Sequence, residues 1–448
     1  MAKSKVTYVC QSCAEVSPKW MGRCPNCNEW DSFVETKEAT SSPVETSQKY
    51  LSKEVIQAIS ITKIKEESVA RMSTQDSEFD LVLGGGIVEG SLVLIGGAPG
   101  VGKSTLLLKI AGNLGREKKN VLYVSGEESS GQIKLRANRL EANYDSIYLL
   151  GEIILENILA SLEVRTYDVM IIDSIQTLYS EALSSAPGSV SQVREITFHL
   201  MRVAKSRKIA IFIIGHITKE GSIAGPRILE HMVDTVLYFD NNESRDIRIL
   251  RAFKNRFGST NEIAIFEMVK DGLVSVRDIS SKFLEQNSSE PGSALSVIME
   301  GSRAIIVEVQ ALVTEISFGM PKRSSNGFDA SRLTMLLALL EKKLGFEFGQ
   351  YDVFINITGG IKITEPSADL AIIAAIISSL RNRAISKETV FVGEVSLTGD
   401  IREVTMVENR IKEVASQGFK KAILRKKLDV KKIKYFEVDK VEKILDWM

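Results

Sequence analysis

Between about Leu81 and Val276 the chain alternates short apolar runs with longer stretches whose apolar residues recur at helical spacing. SLVLIGG is followed by KSTLLLKIAGNLGREKK, then VLYVS, and later by YDVMIID and KIAIFIIGH. Short apolar runs separated by helical periods predict a parallel sheet with crossover helices, an α/β architecture. DTVLYFD, IRILRAFK and EIAIFEM then follow in quick succession, which predicts antiparallel hairpins at an edge of that sheet. Further on, strand-like runs (RAIIVEVQALV, DVFINIT, TVFVGEV) mix with apolar-striped helices (SRLTMLLALLEKKL, SADLAIIAAIISSL), and a compact α+β domain with its own core is expected.

Two polar stretches interrupt this pattern. Residues 35–50 (ETKEATSSPVETSQKY) are rich in Ser and Thr without periodicity, and residues 279–293 (ISSKFLEQNSSEPGS) are polar and turn-rich. The expected organisation is therefore a cysteine-bearing module at 1–34, a linker and lead-in at 35–75, an α/β domain at 76–278, a linker at 279–293 and an α+β domain at 294–448. No internal repeat at solenoid periods is found.

At 448 residues the chain is too long for one compact core, so two large domains with small appendages are expected. Lys plus Arg equals Asp plus Glu at 57 each, which argues against a wholly basic nucleic-acid coat protein but not against a local basic channel. MAKSKVTYVC has no apolar core of the signal-peptide kind, and the stretch around Leu370–Ser379 is far shorter than the roughly 20 residues a membrane span needs. No membrane partner and a cytoplasmic location are expected.

The four cysteines all lie within the first 27 residues. Cys10, Cys13, Cys24 and Cys27 form two C-x2-C knuckles, each able to aim two thiolates at one ion. Four soft sulfurs with no open position suit structural Zn2+, against a redox pair, an iron–sulfur site or idle thiols. Lys3, Lys5, Lys19 and Arg23 with Trp20 and Trp30 suit a nucleic-acid contact, and equally the tryptophans could pack the ribbon.

Gly97-Ala98-Pro99-Gly100-Val101-Gly102-Lys103-Ser104 fits the P-loop pattern between an apolar strand and a helix, with Thr105 following. Backbone N–H groups would turn inward around the phosphates of ATP, Lys103 would reach the β- and γ-phosphates, and the Ser104 hydroxyl would ligate Mg2+. Asp173 ends the apolar run of YDVMIID, which suits a carboxylate holding Mg2+ through water. Hydrolysis also needs a carboxylate that polarises the attacking water. Glu127 follows the strand-like VLYVS and is expected as the base, with Glu128 as its helper or stand-in.

The cysteine ribbon, GGAPGVGKST, VSGEES, GHITKEGSIAGP and Lys254-Asn255-Arg256-Phe257-Gly258 occur in one order along the chain. Together they closely resemble the bacterial RadA (Sms) family of DNA repair and recombination proteins, over essentially the whole length. The resemblance implies a zinc ribbon, a RecA-like ATPase core and a carboxy-terminal domain related to the Lon protease. It also implies a hexameric motor, similar to DnaB-type ring helicases, that promotes branch migration of recombination intermediates. The partners it implies are single-stranded and branched DNA and a RecA-type recombinase. In such a ring Lys254 and Arg256 would be fingers acting on a neighbour's nucleotide, against a bland reading as a solvated pair on an edge strand. His216 would sense the phosphate state, against a plain structural role for a lone histidine, and Lys219 and Arg227 would contact DNA from the loop that follows. The turn-rich loop Ser180–Ser191 has no basic residue and could line a pore through its backbone alone.

Glu365-Pro366-Ser367-Ala368-Asp369 resembles the strip that carries the Lon nucleophile. A serine–lysine dyad needs a lysine base, and counting fifteen residues from Gly393 places Glu408 at that position, with Lys412 a helical turn further on. Protease activity is therefore not expected, and the domain is read as a ring platform. Lys420, Lys421, Arg425, Lys426, Lys427, Lys431 and Lys432 form a candidate DNA patch or a solvated surface. The competing functions are an ATP-dependent protease or its regulator, and a switch ATPase that changes partners without translocating.

Overall fold

The computed structural model describes residues 6–10, 15–26, 30, 32–37, 60, 62, 70–216, 228–240, 247–278, 280, 290–316 and 319–447. They fall into two compact units, the first running to Ser275 with a break at residues 242–247, the second made of residues 242–247 and the chain from Val276 on.

In the first unit the central strands are buried on both faces, which is why they read as continuous apolar runs. Along Leu92–Gly97, Val93 and Ile95 enter one core while Leu92 and Leu94 enter the other. Phe212 and Ile214 separate from Ile211 and Ile213 in the same way, as do Val169 and Ile171 from Met170 and Ile172. This is the two-residue period of a strand applied to a sheet with helices on both sides. Helix Lys103–Arg116 covers the first face, and helices Leu155–Ser161 and Val190–Arg207 supply the second.

Among the described residues this sheet has nine strands, in the order Gly272–Ser275, Ile263–Val269, Ile247–Asn255, Thr235–Phe239, Leu92–Gly97, Ala210–His216, Val169–Asp173, Val121–Ser125 and Ile147–Leu150. From Thr235–Phe239 to Ile147–Leu150 the pairings are parallel. Thr235–Phe239 also pairs antiparallel with Ile247–Asn255, so the expected hairpin edge is present, extended by Gly272–Ser275. In the amino-terminal module, strands Val6–Cys10, Val16–Ser17 and Phe33–Lys37 form a separate antiparallel sheet.

The second unit is α+β. Its described sheet runs Arg323–Asn326, Tyr351–Ile357, Arg303–Glu315, Ser293–Glu300, Thr389–Phe391, Lys421–Leu424, Lys434–Glu437. Helix Asp369–Leu380 is buried along almost its whole length. TVFVGEV, expected as one strand, is two: Thr389–Phe391 belongs to the large sheet, and Glu394–Val395 pairs with Ile401–Arg402. Most of the expected linker at 279–293 lies outside the described residues. Its described ends belong to this unit: the Ser280 hydroxyl accepts from Ile306 N at 3.2 Å, and Ser293 opens a strand.

No described helix is long and apolar enough to cross a membrane. Packing in the first unit is tight at Gly96, where an added Cβ would stand 2.2 Å from Tyr238 Cε1. That ring stacks edge-on to Phe253 and donates its hydroxyl hydrogen to Glu230 Oε1 at 2.9 Å, so it has little room to move. Gly96→Ala is therefore expected to lower stability by about 1–3 kcal/mol, read from the urea midpoint. Combining it with Tyr238→Ala is expected to cost less than the sum of the two. Additive effects would show that the ring yields freely.

Candidate functional site

The parallel strands end at one edge of the sheet. There Gly97 stands in register with His216, and Asp173 with Ser125. Gly97 leads into the loop 98–102. Within it Gly100 (φ 77°) and Gly102 (φ 113°) hold the left-handed backbone that other residues resist. Helix Lys103–Arg116 starts at Gly102 with no side-chain cap, so its first N–H groups are left for a ligand. Pro99 and Gly100 form the turn of the loop, closed by Val101 N donating to Ala98 O at 3.3 Å, Val101 anchors it in the core and Thr105 lies in the first helical turn.

Lys103 is 4% exposed, and its ammonium donates to Gly97 O at 2.7 Å and Ala98 O at 3.0 Å. Burial lowers its pKa to about 8, against the raising influence of Asp173 and Glu127. Asp173 is likewise buried, and burial pushes its carboxyl above the ordinary range although Tyr123 and Ser104 donate hydrogen bonds to it. The Tyr123 hydroxyl donates to Asp173 Oδ2 at 2.5 Å. Ser104 and Asp173 thus meet as two hard oxygen donors, a set that suits Mg2+ bound directly and through water.

The two glutamates take different partners. Ser174 donates its hydroxyl hydrogen to Glu127, whereas Glu128 forms an ion pair with Arg136 of helix Ser130–Arg139. Arg136 compensates the Glu128 charge. Glu127, which also acts electrostatically on Lys103, is the carboxylate better suited to polarise water. Tyr123, Ser174 and Arg136 were missed by sequence reasoning. Tyr123 lies fifty positions from the carboxylate it holds and looks like an ordinary strand residue.

Lys254 and Arg256 do not join this group. Arg256 N donates to Asp234 O at 3.1 Å, and Asp234 N to Leu92 O at 2.9 Å, so Arg256 stands level with the first residue of Leu92–Gly97. The phosphate loop follows the far end of that strand, about 17 Å away at the usual rise per residue. The Lys254 ammonium donates to the carbonyls of Glu230 (2.7 Å), His231 (3.2 Å) and Val233 (2.8 Å). Burial, and then the Arg256 charge, lowers its pKa. The main chain of His216 borders Gly97, but its side chain lies outside the described residues, as do Lys219 and Arg227.

In the amino-terminal module Cys10 and Cys24 are fully buried beside Phe33, and Cys13 and Cys27 lie outside the described residues. Two buried thiols in so small a sheet fit a metal that supplies the folding energy a small core lacks. Trp20 is 53% and Trp30 69% exposed, with the Arg23 guanidinium 5.7 Å from the Trp30 ring centre. The tryptophans therefore do not close a ribbon core.

In the second unit the count that led to Glu408 is corrected. Glu408 is exposed, and the residue that helix Val407–Ser416 turns towards Ser367 is Arg410. The two differ by about 200° around a helix, so one faces solvent when the other faces the core. Arg410 is fully buried, donating to Ser367 Oγ at 3.1 Å and to both Glu365 oxygens at 2.6 and 2.7 Å. Burial pushes the Glu365 carboxyl up, but the hydrogen bonds from Arg410, Ser367 and Met299 N and the Arg410 charge together outweigh it and hold it below the ordinary value. Ser367 in turn donates to Glu365 Oε1 at 2.7 Å. A guanidinium does not give up its proton in a protein, so it cannot serve as base. Asp369 is fully buried and pairs with Arg332 while accepting from Val395 N at 3.0 Å.

Three family models match the chain: the AAA domain over residues 60–222, the rubredoxin metal binding domain over 8–35 and the subunit ChlI of Mg-chelatase over 329–427. A DNA repair protein RadA of Campylobacter jejuni is 56% identical over 449 residues, covering 100% of both chains. That of Bacillus subtilis is 49% identical over 434 residues, covering 95% of this chain and 93% of its own. Among solved structures, a KaiC-like protein from Pyrococcus horikoshii aligns over 46% of this chain and 99% of its own, at 20% identity and a TM-score of 0.39. A second solved structure, an isolated ATPase domain, aligns over 48% of this chain and 94% of its own, at 14% identity and a TM-score of 0.40. The chain carries an ATPase domain that uses ATP and Mg2+, and an amino-terminal ribbon that binds Zn2+.

Two outcomes are expected at these sites. Lys103 is expected to bind nucleotide phosphates as the ammonium, which would raise its pKa above the value of about 8 it has in this loop. Affinity is therefore constant below that pH and falls about tenfold per unit above it, as binding must take up a proton. Titration of a fluorescent ADP from about pH 6.5 to 9.5 reads this, and a flat profile would remove Lys103 from the phosphates. A fluorophosphonate is expected to leave Ser367 unlabelled. Arg410→Ala, which strands Glu365, is expected to cost about 3 kcal/mol in denaturant unfolding. Labelling of Ser367 in the unaltered chain would contradict the inert assignment.

Proposed function

The chain belongs to the RadA family of bacterial DNA repair proteins, and from that premise we propose that it is a DNA-dependent ATPase working as a hexameric helicase-type motor that promotes branch migration of recombination intermediates. The observation that carries this reading is the position of Lys254 and Arg256 at the edge of the sheet opposite their own phosphate loop. Two cations fixed there are of no use to the nucleotide of their own chain. A head-to-tail neighbour brings them to the next nucleotide, and such a contact closes into a ring when its rotation allows. Stabilising the charge that develops on the transferred phosphoryl group is what fingers of this kind contribute.

In this reading Lys103, Ser104 and residues 97–102 hold the phosphates, Asp173 holds Mg2+ and Glu127 activates water. The loop after His216, with Lys219 and Arg227, faces single-stranded or branched DNA. The exposed Trp30 and its Arg23 partner suit a base or backbone contact by the ribbon. A RecA-type recombinase as partner and a cytoplasmic setting belong to the same proposal. The alternative, an ATP-dependent regulator on a protease-like platform, gains nothing from Arg410, which leaves Ser367 without a base.

ATP hydrolysis measured with and without single-stranded DNA tests this. Turnover of the unaltered chain is expected to rise with DNA. Lys103→Ala is expected to lose nucleotide binding, and Lys254→Ala to keep it while turnover falls about 10³-fold. Turnover indifferent to DNA, or unchanged in Lys254→Ala, would leave an ATPase and overturn the motor.

A further inference from the structure

We propose that Asp234 is a positioning residue for the trans-acting Arg256, an inference that rests on reading Lys254 and Arg256 as fingers for a neighbouring subunit. Asp234 lies between helix Ile228–Met232 and strand Thr235–Phe239, with its side chain 5% exposed. One carboxylate oxygen accepts from Arg256 Nη1 at 3.3 Å. The other accepts from Lys205 Nζ at 2.9 Å and from Leu92 N at 3.1 Å. The main chain holds the same three points together, since Asp234 N donates to Leu92 O and Arg256 N donates to Asp234 O.

A surface ion pair between two mobile side chains orients neither. Asp234 differs because its carboxylate is fixed by a backbone N–H and by the strand it precedes, so Arg256 leans on a stationary partner. At 3.3 Å the contact is long for a charge-assisted hydrogen bond, and the Arg256 side chain remains 57% exposed. The carboxylate therefore aims the guanidinium without quenching it. It also lets Lys254 and Arg256, two like charges, stand side by side, since Asp234 counters the effect of Arg256 on the Lys254 ammonium. Lys205, from the last turn of helix Val190–Arg207, compensates the carboxylate when Arg256 swings towards a phosphate.

Asp234 also touches Leu92, which begins the strand leading to its own phosphate loop. The two roles differ in which subunit suffers when the residue is lost, and mixed assemblies separate them. Asp234→Asn keeps an acceptor for Leu92 N but loses the charge facing Arg256. Alone it is expected to lower DNA-stimulated turnover about 10²-fold, the scale of a misplaced catalytic group, with KM for ATP within about twofold. Co-expressed with Lys103→Ala and purified through a tag on each chain, it is expected to recover activity. Its intact loop then meets the intact finger of its partner, at about a quarter of the sites in a random ring.

Arg256→Ala mixed with Lys103→Ala in the same way tests the underlying reading. If that pair recovers and the Asp234→Asn pair does not, Asp234 serves its own loop and the proposal falls. If neither pair recovers, the trans-acting finger itself is refuted, and the role of Asp234 with it. Asp234→Glu, which restores the charge, is expected to regain part of the turnover at an unchanged melting temperature. A loss of turnover that tracks the melting temperature across both variants would mark Asp234 as merely structural.

Discussion

The first unit is governed by one constraint: its parallel strands are buried on both faces. Leu92, Val93, Leu94 and Ile95 are committed alternately to two cores, so no side chain along the strand body is available for chemistry. At about 1.5–3 kcal/mol per buried aliphatic side chain, exposing either face would cost more than such a domain's whole stability. Helices must cover both sides, and polar function is driven to the strand ends. The fold therefore has two poles. One gathers Gly97, Ser125, Asp173 and the backbone of His216, and the other gathers Leu92, Asp234 and Arg256.

This polarity separates charge. The end with the phosphate loop holds Asp173 and Glu127 near the buried Lys103 ammonium, with Glu128 paired to Arg136, whereas the opposite end groups Lys205, Lys254 and Arg256 near the buried Asp234 carboxylate, with Glu230 also acting on Lys254. The proposed head-to-tail ring sets these two unlike ends against each other, whereas a face-to-face pair would oppose like ends.

What could be read from the residues was whatever depends on neighbours in the chain. The apolar runs, the glycines at 97, 100 and 102 and the order of loop, glutamates and Asp173 are local patterns whose chemistry dictates their spacing. What escaped depends on pairing across the fold. Tyr123 reaches Asp173, and Leu92 reaches Asp234, through strands brought together by the sheet. Counting from Gly393 arrived at Glu408, because a count along the chain carries no helical phase, and two positions decide which residue faces Ser367. Ser293–Glu300 was passed over because Ser293 and Ser296 break its apolar run. In the fold Ser293 donates to buried Glu308, and Ser296 to Phe391 O.

Buried charge is common to both units, but its state differs. In the second, Arg410 donates to Glu365, Ser367 and two backbone carbonyls and holds the Glu365 carboxyl low, while Asp369, which burial pushes up, has the Arg332 guanidinium directly against it. In the first, Lys103 rests on two loop carbonyls with its pKa pulled down, and Asp173 stays buried with its pKa pushed up. Each is held where its own charge is disfavoured. A magnesium nucleotide relieves both at once, bringing anionic oxygens to the lysine and a divalent cation to the carboxylate. The electrostatic strain at the phosphate loop thus follows from the absence of the charges that a magnesium nucleotide brings.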